Sequence, residues 1–191
     1  MPPVAVGRRV LVAGAHQDPE YIAGFLGAYR LLLSDLLLLT MSEEPMASPE
    51  KVRGIIDAVA GVKPELRVIP TVFRPRPVGD VEGLHVAYVS TAPPAVLDKL
   101  SHHLEERYGC EVVAASGNLS DRRMLARDLD AVEGADAYLT EIKAAAVDVV
   151  TRRGSDEGKP VLYCDNDPVG EELDASLLEL ARSTMEDYTA S

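Results

Sequence analysis

The sequence predicts an α/β protein, with a doubly wound, mostly parallel sheet or sheets, flanking helices and two small lobes. Short all-apolar runs alternate along the chain with segments in which apolar residues recur at helical spacing. Apolar runs of this kind are typical of strands that are covered on both faces. The 191 residues contain no Trp and only two Phe, so the core is expected to consist of Val, Leu, Ala and Ile.

The first lobe is predicted to contain three strands, each ending where polar residues begin. The helix between the first two strands has Asp18 as its N-cap and Pro19 in its first turn. A segment rich in Pro, Gly, Arg and Asp over residues 73–83 has no periodicity, and we place the lobe boundary there. In order, we predict a strand over residues 9–14, a helix over 18–33, a strand over 35–40, a helix over 48–60 and a strand over 66–72.

The second lobe, residues 84–170, repeats the alternation of strands and helices. Residues 171–191 are predicted to form an amphipathic helix and a tail. The predicted elements are strands over 85–90, 110–115, 137–140 and 160–164 and helices over 93–108, 121–129 and 144–153.

The net charge of −12 argues against nucleic-acid binding, because a polyanion would be repelled and no basic arm offsets the charge. The sequence contains no apolar run of membrane-spanning length, which predicts a protein that does not enter the membrane. Cys110 and Cys164 lack metal-ligand spacing and are expected to be buried free thiols, as suits the cytoplasm. The sequence leaves the oligomeric state open, a homo-oligomer included.

The junction around Glu141 and Lys143 is the strongest candidate site. A buried strand ends at Thr140-Glu141, and a Lys-Ala-Ala-Ala run then opens a helix. Anions bind at the carboxyl edge of such sheets, beside helix N-termini. We therefore predict that Lys143 and Glu141 are catalytic. The alternative for Lys143 is a salt bridge to Glu141 or Asp148.

Other strand ends supply candidate groups for a phosphorylated ligand. Arginines bind phosphate through charge-assisted hydrogen bonds, although surface arginine pairs are common in any protein. The Asp165-Asn166 pair lies in an Asp-Asn-Asp-Pro segment that is also consistent with a simple turn. The predicted substrate-binding residues are Arg74, Arg76, Asp121, Arg122, Asp165 and Asn166.

The ends of the first two strands supply His16, Thr40, Glu43 and Glu44 as candidates for cofactor binding. The two glutamates either hold Mg²⁺ and nucleotide or favour the start of the next helix. No G-x-x-x-x-G-K-[ST], G-x-G-x-x-G, G-x-S-x-G or H-E-x-x-H motif occurs in the sequence. We predict no resident metal site made by protein ligands alone.

At these blocks the chain resembles the C-terminal half of the cyclic 2,3-diphosphoglycerate synthetase family. The resemblance runs through the segments 24–30, 40–45, 71–75, 119–122, 139–149 and 163–168. It implies an ATP-dependent enzyme that closes 2,3-diphosphoglycerate into a cyclic phosphoanhydride, with ATP and Mg²⁺ as cofactors.

The resemblance also implies how the chain is divided. Residues 1–83 would be the C-terminal part of a P-loop NTPase-like core, and the P-loop half would be lacking. The expected partners are then a small phosphorylated substrate and an N-terminal P-loop half or separate subunit, and the chain alone is expected to be inactive. The alternative is a non-catalytic module that binds a phosphorylated metabolite or pairs with a separate P-loop protein.

Overall fold

The computed structural model describes residues 7–142 and 145–189 of the chain. Its architecture is α/β with parallel strands and flanking helices, as predicted. In chain order the elements are β1 (Val10–Gly14), α1 (Pro19–Ala23), α2 (Phe25–Leu32), β2 (Leu36–Thr40), α3 (Pro49–Val62), β3 (Arg67–Pro70), β4 (Val72–Pro77), β5 (His85–Val89), α4 (Pro94–Tyr108), β6 (Glu111–Ser116), α5 (Arg122–Asp130), β7 (Ala137–Glu141), α6 (Val147–Glu157), β8 (Val161–Val169) and α7 (Leu173–Thr189).

The chain divides into two compact units. The first unit comprises residues up to 73 together with those from 168 onward, and the second unit is Arg74–Asp167. The predicted boundary lies at residue 83, and residues 171–191 were predicted as a separate helix and tail. The difference arises because β4 joins the sheet of the second unit, whereas α7 packs on the sheet of the first.

The first unit contains a three-stranded parallel sheet with the strand order β1-β2-β3. One face of this sheet packs against the helices α1 to α3, and the core there includes Leu31, Leu37, Leu39 and Ile55. On the other face, Leu173 of α7 packs with Leu36 and Ile69. The central strand β2 is therefore buried on both faces, as its run of four leucines indicates.

The prediction of one continuous helix over residues 18–33 is wrong, because two helices, α1 and α2, meet at Gly24. This glycine has extended backbone angles, φ −76° and ψ −168°, and its N–H donates to the Glu20 carbonyl. A Cβ at this position would overlap that carbonyl oxygen. The start of the helix is as predicted, since the Asp18 side chain caps it and Pro19 lies in its first turn.

The second unit is built on a five-stranded sheet with the order β4-β8-β7-β5-β6, in which β5 to β8 are parallel. The strand β5 leads through α4 to β6 on one side, while β7 lies on its other side. The connections therefore change direction between β5 and β7. In doubly wound sheets, ligands bind at the carboxyl ends of the strands at such a switch point.

Two predictions about this sheet are wrong. Residues 73–83 were expected to be irregular, but β4 occupies Val72–Pro77. Its two prolines are tolerated because β4 is an edge strand. The last strand was expected to end at Cys164, but β8 continues to Val169. The polar residues in its second half bond to Arg76 of the neighbouring strand β4, which compensates for their position in a strand.

Both cysteines are free and buried, as predicted. Within residues 7–142 and 145–189, no helix has the length and apolar character needed to cross a membrane.

Candidate functional site

Glu141 lies at the centre of the switch point in the second unit. It is the last residue of β7 and is only 8% exposed. Its Oε2 accepts hydrogen bonds from the Thr91 N–H at 3.2 Å and the Thr91 Oγ1 at 2.9 Å. Its Oε1 accepts one from Asn166 Nδ2 at 2.8 Å. The carboxylate therefore links the end of β7 to the segment after β5 and to the second half of β8, and its orientation is fixed from two sides.

Arg76 supplies a positive charge on the edge strand β4. Its Nε lies 2.6 Å from Asp167 Oδ2, and its Nη2 lies 3.9 Å from Asp165 Oδ2. The hydrogen bond to Asp167, followed by the charge of that residue, raises the pKa of Arg76. Asp165 Oδ1 also accepts the backbone N–H of Asn166. The predicted residues Arg76, Asp165 and Asn166 are thus close to one another, and Asn166 joins them to Glu141.

Arg74 lies two residues before Arg76 on β4, in a basic neighbourhood. The pKa of His103 on α4 is lowered, first by burial and then by the positive charges of Arg74 and Arg107. The ring of His103 meets the ring of Tyr108 edge to face, with 6.0 Å between centroids. The charges of Arg74 on β4 and Arg107 on α4 therefore both act on His103, and the charge of Glu106 opposes them.

Asp121 and Arg122 have contacts that stabilise helices. The Asp121 side chain caps α5 by accepting the N–H groups of Arg123 and Met124, and the bond from Met124 is the largest cause of its lowered pKa. Arg122 pairs with Asp148 at 2.8 Å and donates to the Ala145 carbonyl at 2.8 Å. These bonds join α5 to α6. The predicted role of both residues in substrate binding stays a prediction.

Burial and charge also act on Cys164, which lies on β8 and is 1% exposed. Burial, followed by the charge of Glu141, raises the pKa of this thiol to about 12. A buried, protonated thiol is a poor nucleophile. Cys164 therefore contributes packing beneath the strand ends rather than covalent chemistry.

Lys143 falls outside the described residues, so its predicted catalytic role stays a prediction. It follows Glu141 by two positions in the sequence. The helix α6 begins at Val147, later than predicted, and its N-cap residue Ala146 makes no side-chain capping bond.

The predicted cofactor residues lie in the first unit. Thr40 ends β2, is 8% exposed and donates its hydroxyl to the Ala13 carbonyl at 3.2 Å. His16 is exposed after β1, and its carbonyl accepts the Lys51 ammonium at 2.6 Å. Thr40 and His16 therefore lie at the carboxyl ends of the neighbouring strands β2 and β1, at the same edge of the sheet.

Glu43 and Glu44 follow β2 after a short turn. The Glu43 carbonyl accepts the N–H groups of Met46 and Ala47, which orders the approach to α3. Glu44 is exposed. Whether these glutamates contact nucleotide stays a prediction.

Sequence reasoning did not select several residues of this region. Thr91 and Asp167 bond directly to selected residues, and the position of Thr91 after the buried strand β5 was a usable signal. A second polar cluster follows β6, where Asp128 Oδ2 accepts Ser116 Oγ at 2.6 Å and Asn118 Nδ2 at 2.7 Å. Asp128 lies on α5, and nothing in its local sequence indicates this contact.

Comparison with known protein families matches most of the chain to one family. Residues 77–167 match the family model of the cyclic 2,3-diphosphoglycerate synthetase C-terminal domain, and residues 1–72 match that of the P-loop domain of the same synthetase. The prediction that this chain lacks the P-loop half is therefore wrong, because its first unit contains sequence of that domain.

Among curated proteins, the cyclic 2,3-diphosphoglycerate synthetase of Rubrobacter xylanophilus is 71% identical over 96% of this chain and 41% of its own length. Those of Methanothermobacter thermautotrophicus and Methanothermus fervidus are 44% and 43% identical over 98% of this chain and 42% of their own lengths. The chain thus spans less than half the length of the relatives it matches. It belongs to the cyclic 2,3-diphosphoglycerate synthetase family.

Proposed function

We propose that this chain takes part in the ATP-dependent closure of 2,3-diphosphoglycerate to its cyclic phosphoanhydride, with the substrate held at the switch point of the second unit. The observation that carries the proposal is the Glu141 carboxylate, held at that switch point by Thr91 and Asn166. The identity to relatives that are named for this reaction product supports it.

The charge around Arg74 supports an anionic substrate. Diphosphoglycerate carries two phosphates and a carboxylate, and its binding requires several positive groups. Arg74, His103 and Arg107 are near enough for their charges to interact. A ligand phosphate beside them would oppose the effect of the two arginines on the pKa of His103, which burial lowers more strongly. Guanidinium groups suit this role because they form paired hydrogen bonds with phosphate oxygens.

The residues around the switch point, Glu141, Arg76 and Lys143, would then position the reacting groups. Phosphoryl transfer depends chiefly on positioning and on neutralising charge. Glu141 is preorganised by bonds from both sides, so it can orient a cationic group such as the Lys143 ammonium without losing its position. Arg76 restrains the β8 carboxylates of Asp165 and Asp167 by pairing with them. In this proposal Lys143 provides the ammonium that approaches a phosphate.

ATP and Mg²⁺ belong to the proposal through the resemblance to the family and through the match to the P-loop domain. Among the described residues, no group of three or more His, Cys, Asp or Glu side chains could hold a metal ion. The carboxylates of Asp165 and Asp167 pair with Arg76, which would compete with a cation. These residues therefore do not fit a Mg²⁺ site on their own, and we assign no step to the ion. The cytoplasmic location likewise stays a prediction.

The test is a reconstitution followed by ³¹P NMR, which separates a phosphoanhydride from phosphate monoesters. Two samples are prepared: the chain alone, and the chain co-expressed with the part of the R. xylanophilus synthetase that it does not match. Each sample is then mixed with ATP, Mg²⁺ and 2,3-diphosphoglycerate. Cyclic product is expected only from the co-expressed sample. In that sample Lys143→Met should reduce turnover roughly 100-fold, the effect of losing one preorganised donor.

Two outcomes would count against the proposal. Normal turnover of Lys143→Met would remove the assigned role of that residue. If the co-expressed sample forms no product, but the chain binds diphosphoglycerate, the non-catalytic binding module becomes the better description. Arg152→Met, on the exposed part of α6, is the matched control for loss of a positive charge.

A further inference from the structure

The strand β1 forms an open edge of the sheet in the first unit. Within the described part of the chain it pairs only with β2. The Ala15 N–H donates to the Thr40 carbonyl, and the Arg9 carbonyl accepts the Leu36 N–H. Backbone groups alternate along a strand, so the N–H and C=O of Val10 and Val12 point away from β2. They are oriented to pair with another strand.

One face of β1 is also only partly covered by the described residues. Val10 and Val12 are in register with Leu36 and Leu38 of β2, and neighbours in a parallel register share a face. The helix α7 covers the β2 residues on that face through Leu173 and Leu180. Val10 and Val12 nevertheless remain 41% and 60% exposed.

The helices α1 and α2 pack on the opposite face of the sheet and carry further exposed apolar side chains beside this edge. Phe25 is 93% exposed, and large side chains around it are also more than half exposed. A groove of about 120 Å³ is lined by Val12, Gly14, Tyr21 and Arg30, so it connects β1 to the helices. Arg30 lies over the Tyr21 ring at 5.7 Å. We call this area the β1 surface; it comprises Val10, Val12, Tyr21, Phe25, Leu26, Tyr29 and Leu32.

Soluble proteins rarely leave such a surface uncovered. Exposed edge strands are usually protected by charged residues, prolines or bulges, whereas β1 reads Val-Leu-Val-Ala-Gly. All-apolar parallel strands are normally interior strands with both faces covered. Contiguous apolar patches with polar rims mark interaction sites. The β1 surface therefore has the character of an interface.

We infer that the β1 surface binds a β-strand and adjoining apolar residues from the part of the synthetase that lies outside this chain, with the strand adding to β1. This inference rests on the proposed function. The occupant follows from two observations. The chain covers only 41% of the length of a relative with which it shares 71% identity. The open edge belongs to the unit that matches the family's P-loop domain, so an added strand would extend the sheet of that domain.

A second copy of this chain fits the surface less well. Two copies related by a two-fold axis would bring their β1 edges together antiparallel. The strands of the first unit, in contrast, all pair in the parallel sense. A strand from elsewhere in the synthetase can instead add in the parallel sense.

The experiment measures capture and not catalysis. Affinity-tagged chain is co-expressed with the part of the R. xylanophilus synthetase that it does not match, and the co-purified amount of that part is measured without ATP or diphosphoglycerate. The variants are Val12→Lys and Phe25→Asp, which place charges on the β1 surface. Val12→Pro removes an N–H that points away from β2, a position where an edge strand tolerates proline. Met185→Lys, on α7 with 69% exposure, is the matched control.

We expect the parent and Met185→Lys to capture the partner equally, and each variant on the β1 surface to reduce capture about tenfold or more. Thermal unfolding of each variant checks that it is folded. Capture that is unchanged by Val12→Lys and Phe25→Asp would overturn the inference. A second outcome would also overturn the inference: the parent chain captures no partner, light scattering shows that it forms a dimer, and Val12→Lys dissociates this dimer. Capture without any cyclic product would contradict only the proposed function.

Discussion

Asn166 donates its side-chain amide to Glu141 Oε1 at 2.8 Å, which joins the second half of β8 to the end of β7. The two residues are separated by α6 in the sequence and brought together by parallel pairing of their strands. Thr91 bonds to the other oxygen of the same carboxylate. Glu141 thus serves as the common acceptor for a residue that follows β5 and a residue of β8.

Replacing Glu141 should therefore affect stability as well as activity. Glu141→Ala leaves the donors of Thr91 and Asn166 without their acceptor, and we expect the free energy of unfolding to fall by about 1–3 kcal/mol. Glu141→Gln keeps the size and one carbonyl oxygen, so its loss should be smaller. Urea denaturation measures both, with Glu65→Ala, an exposed glutamate, as control. Equal stability of Glu141→Ala and the control would contradict the described bonds.

Arg74→Ala tests the basic neighbourhood in two independent ways. The pKa of His103 should rise toward its ordinary value, because one of the positive charges that lower it has gone. NMR titration of the histidine ring measures this change. In calorimetry, 2,3-diphosphoglycerate should bind more weakly by about 1.5–3 kcal/mol, as for the loss of a charge-assisted hydrogen bond.

The control for Arg74 is Arg123→Ala, which removes an exposed arginine in the same unit. It should change neither the His103 titration nor the affinity. An unchanged affinity of Arg74→Ala, with binding demonstrated for the parent, would rule out contact between Arg74 and the ligand.

Asp121 makes the stability of α5 dependent on pH. Its folded-state pKa is lowered by the N–H groups of Met124 and Arg123. Its stabilising effect is thus fully present above the unfolded pKa of about 3.9 and is lost as the pH falls through the lower folded value. Asp121→Ala should have a lower melting temperature than the parent at pH 7, and the difference should narrow below about pH 4.

Asp121→Asn is the matched control, since Asn caps helices without titrating. It should melt close to the parent at pH 7 and lose less stability on acidification. If the gap between the parent and Asp121→Ala is the same at pH 7 and pH 2.5, the capping carboxylate does not cause it.

Two helical glycines should respond to alanine in opposite directions. Gly154 of α6 is buried, and a Cβ there would overlap a methyl group of Val161 and lie 3.0 Å from the Lys159 carbonyl oxygen. Gly54 of α3 has nothing within 4 Å of such a Cβ. Gly154→Ala should lower the melting temperature, whereas Gly54→Ala should stabilise by about 0.5–1 kcal/mol through helix propensity. Calorimetric melting of both variants checks this, and a stabilised Gly154→Ala would contradict the close packing of α6 on β8.

The alternation of apolar runs and helical spacing determined the α/β class and the approximate position of most elements. The prediction of these strands succeeded because a parallel strand that is buried on both faces consists of consecutive apolar residues, which are visible in the local sequence. The same rule located Glu141 at a strand end. It did not find β4, because the prolines and arginines of an edge strand resemble those of a loop.

The sequence by itself determined the residues at the carboxyl ends of most strands, although β4 was missed and β8 is longer than predicted. Through its resemblance it also determined the family. Only the tertiary structure decided which of those residues meet. Glu141 contacts Thr91 and Asn166 because β7 lies between β5 and β8 in the sheet, an order that local spacing does not encode. The tertiary structure likewise gave Asp121 and Arg122 helix-stabilising contacts, and within residues 7–142 and 145–189 it left β1 with one neighbouring strand. Strand order and helix packing depend on which residues that are distant in the sequence are buried against each other. A local sequence pattern therefore does not predict them.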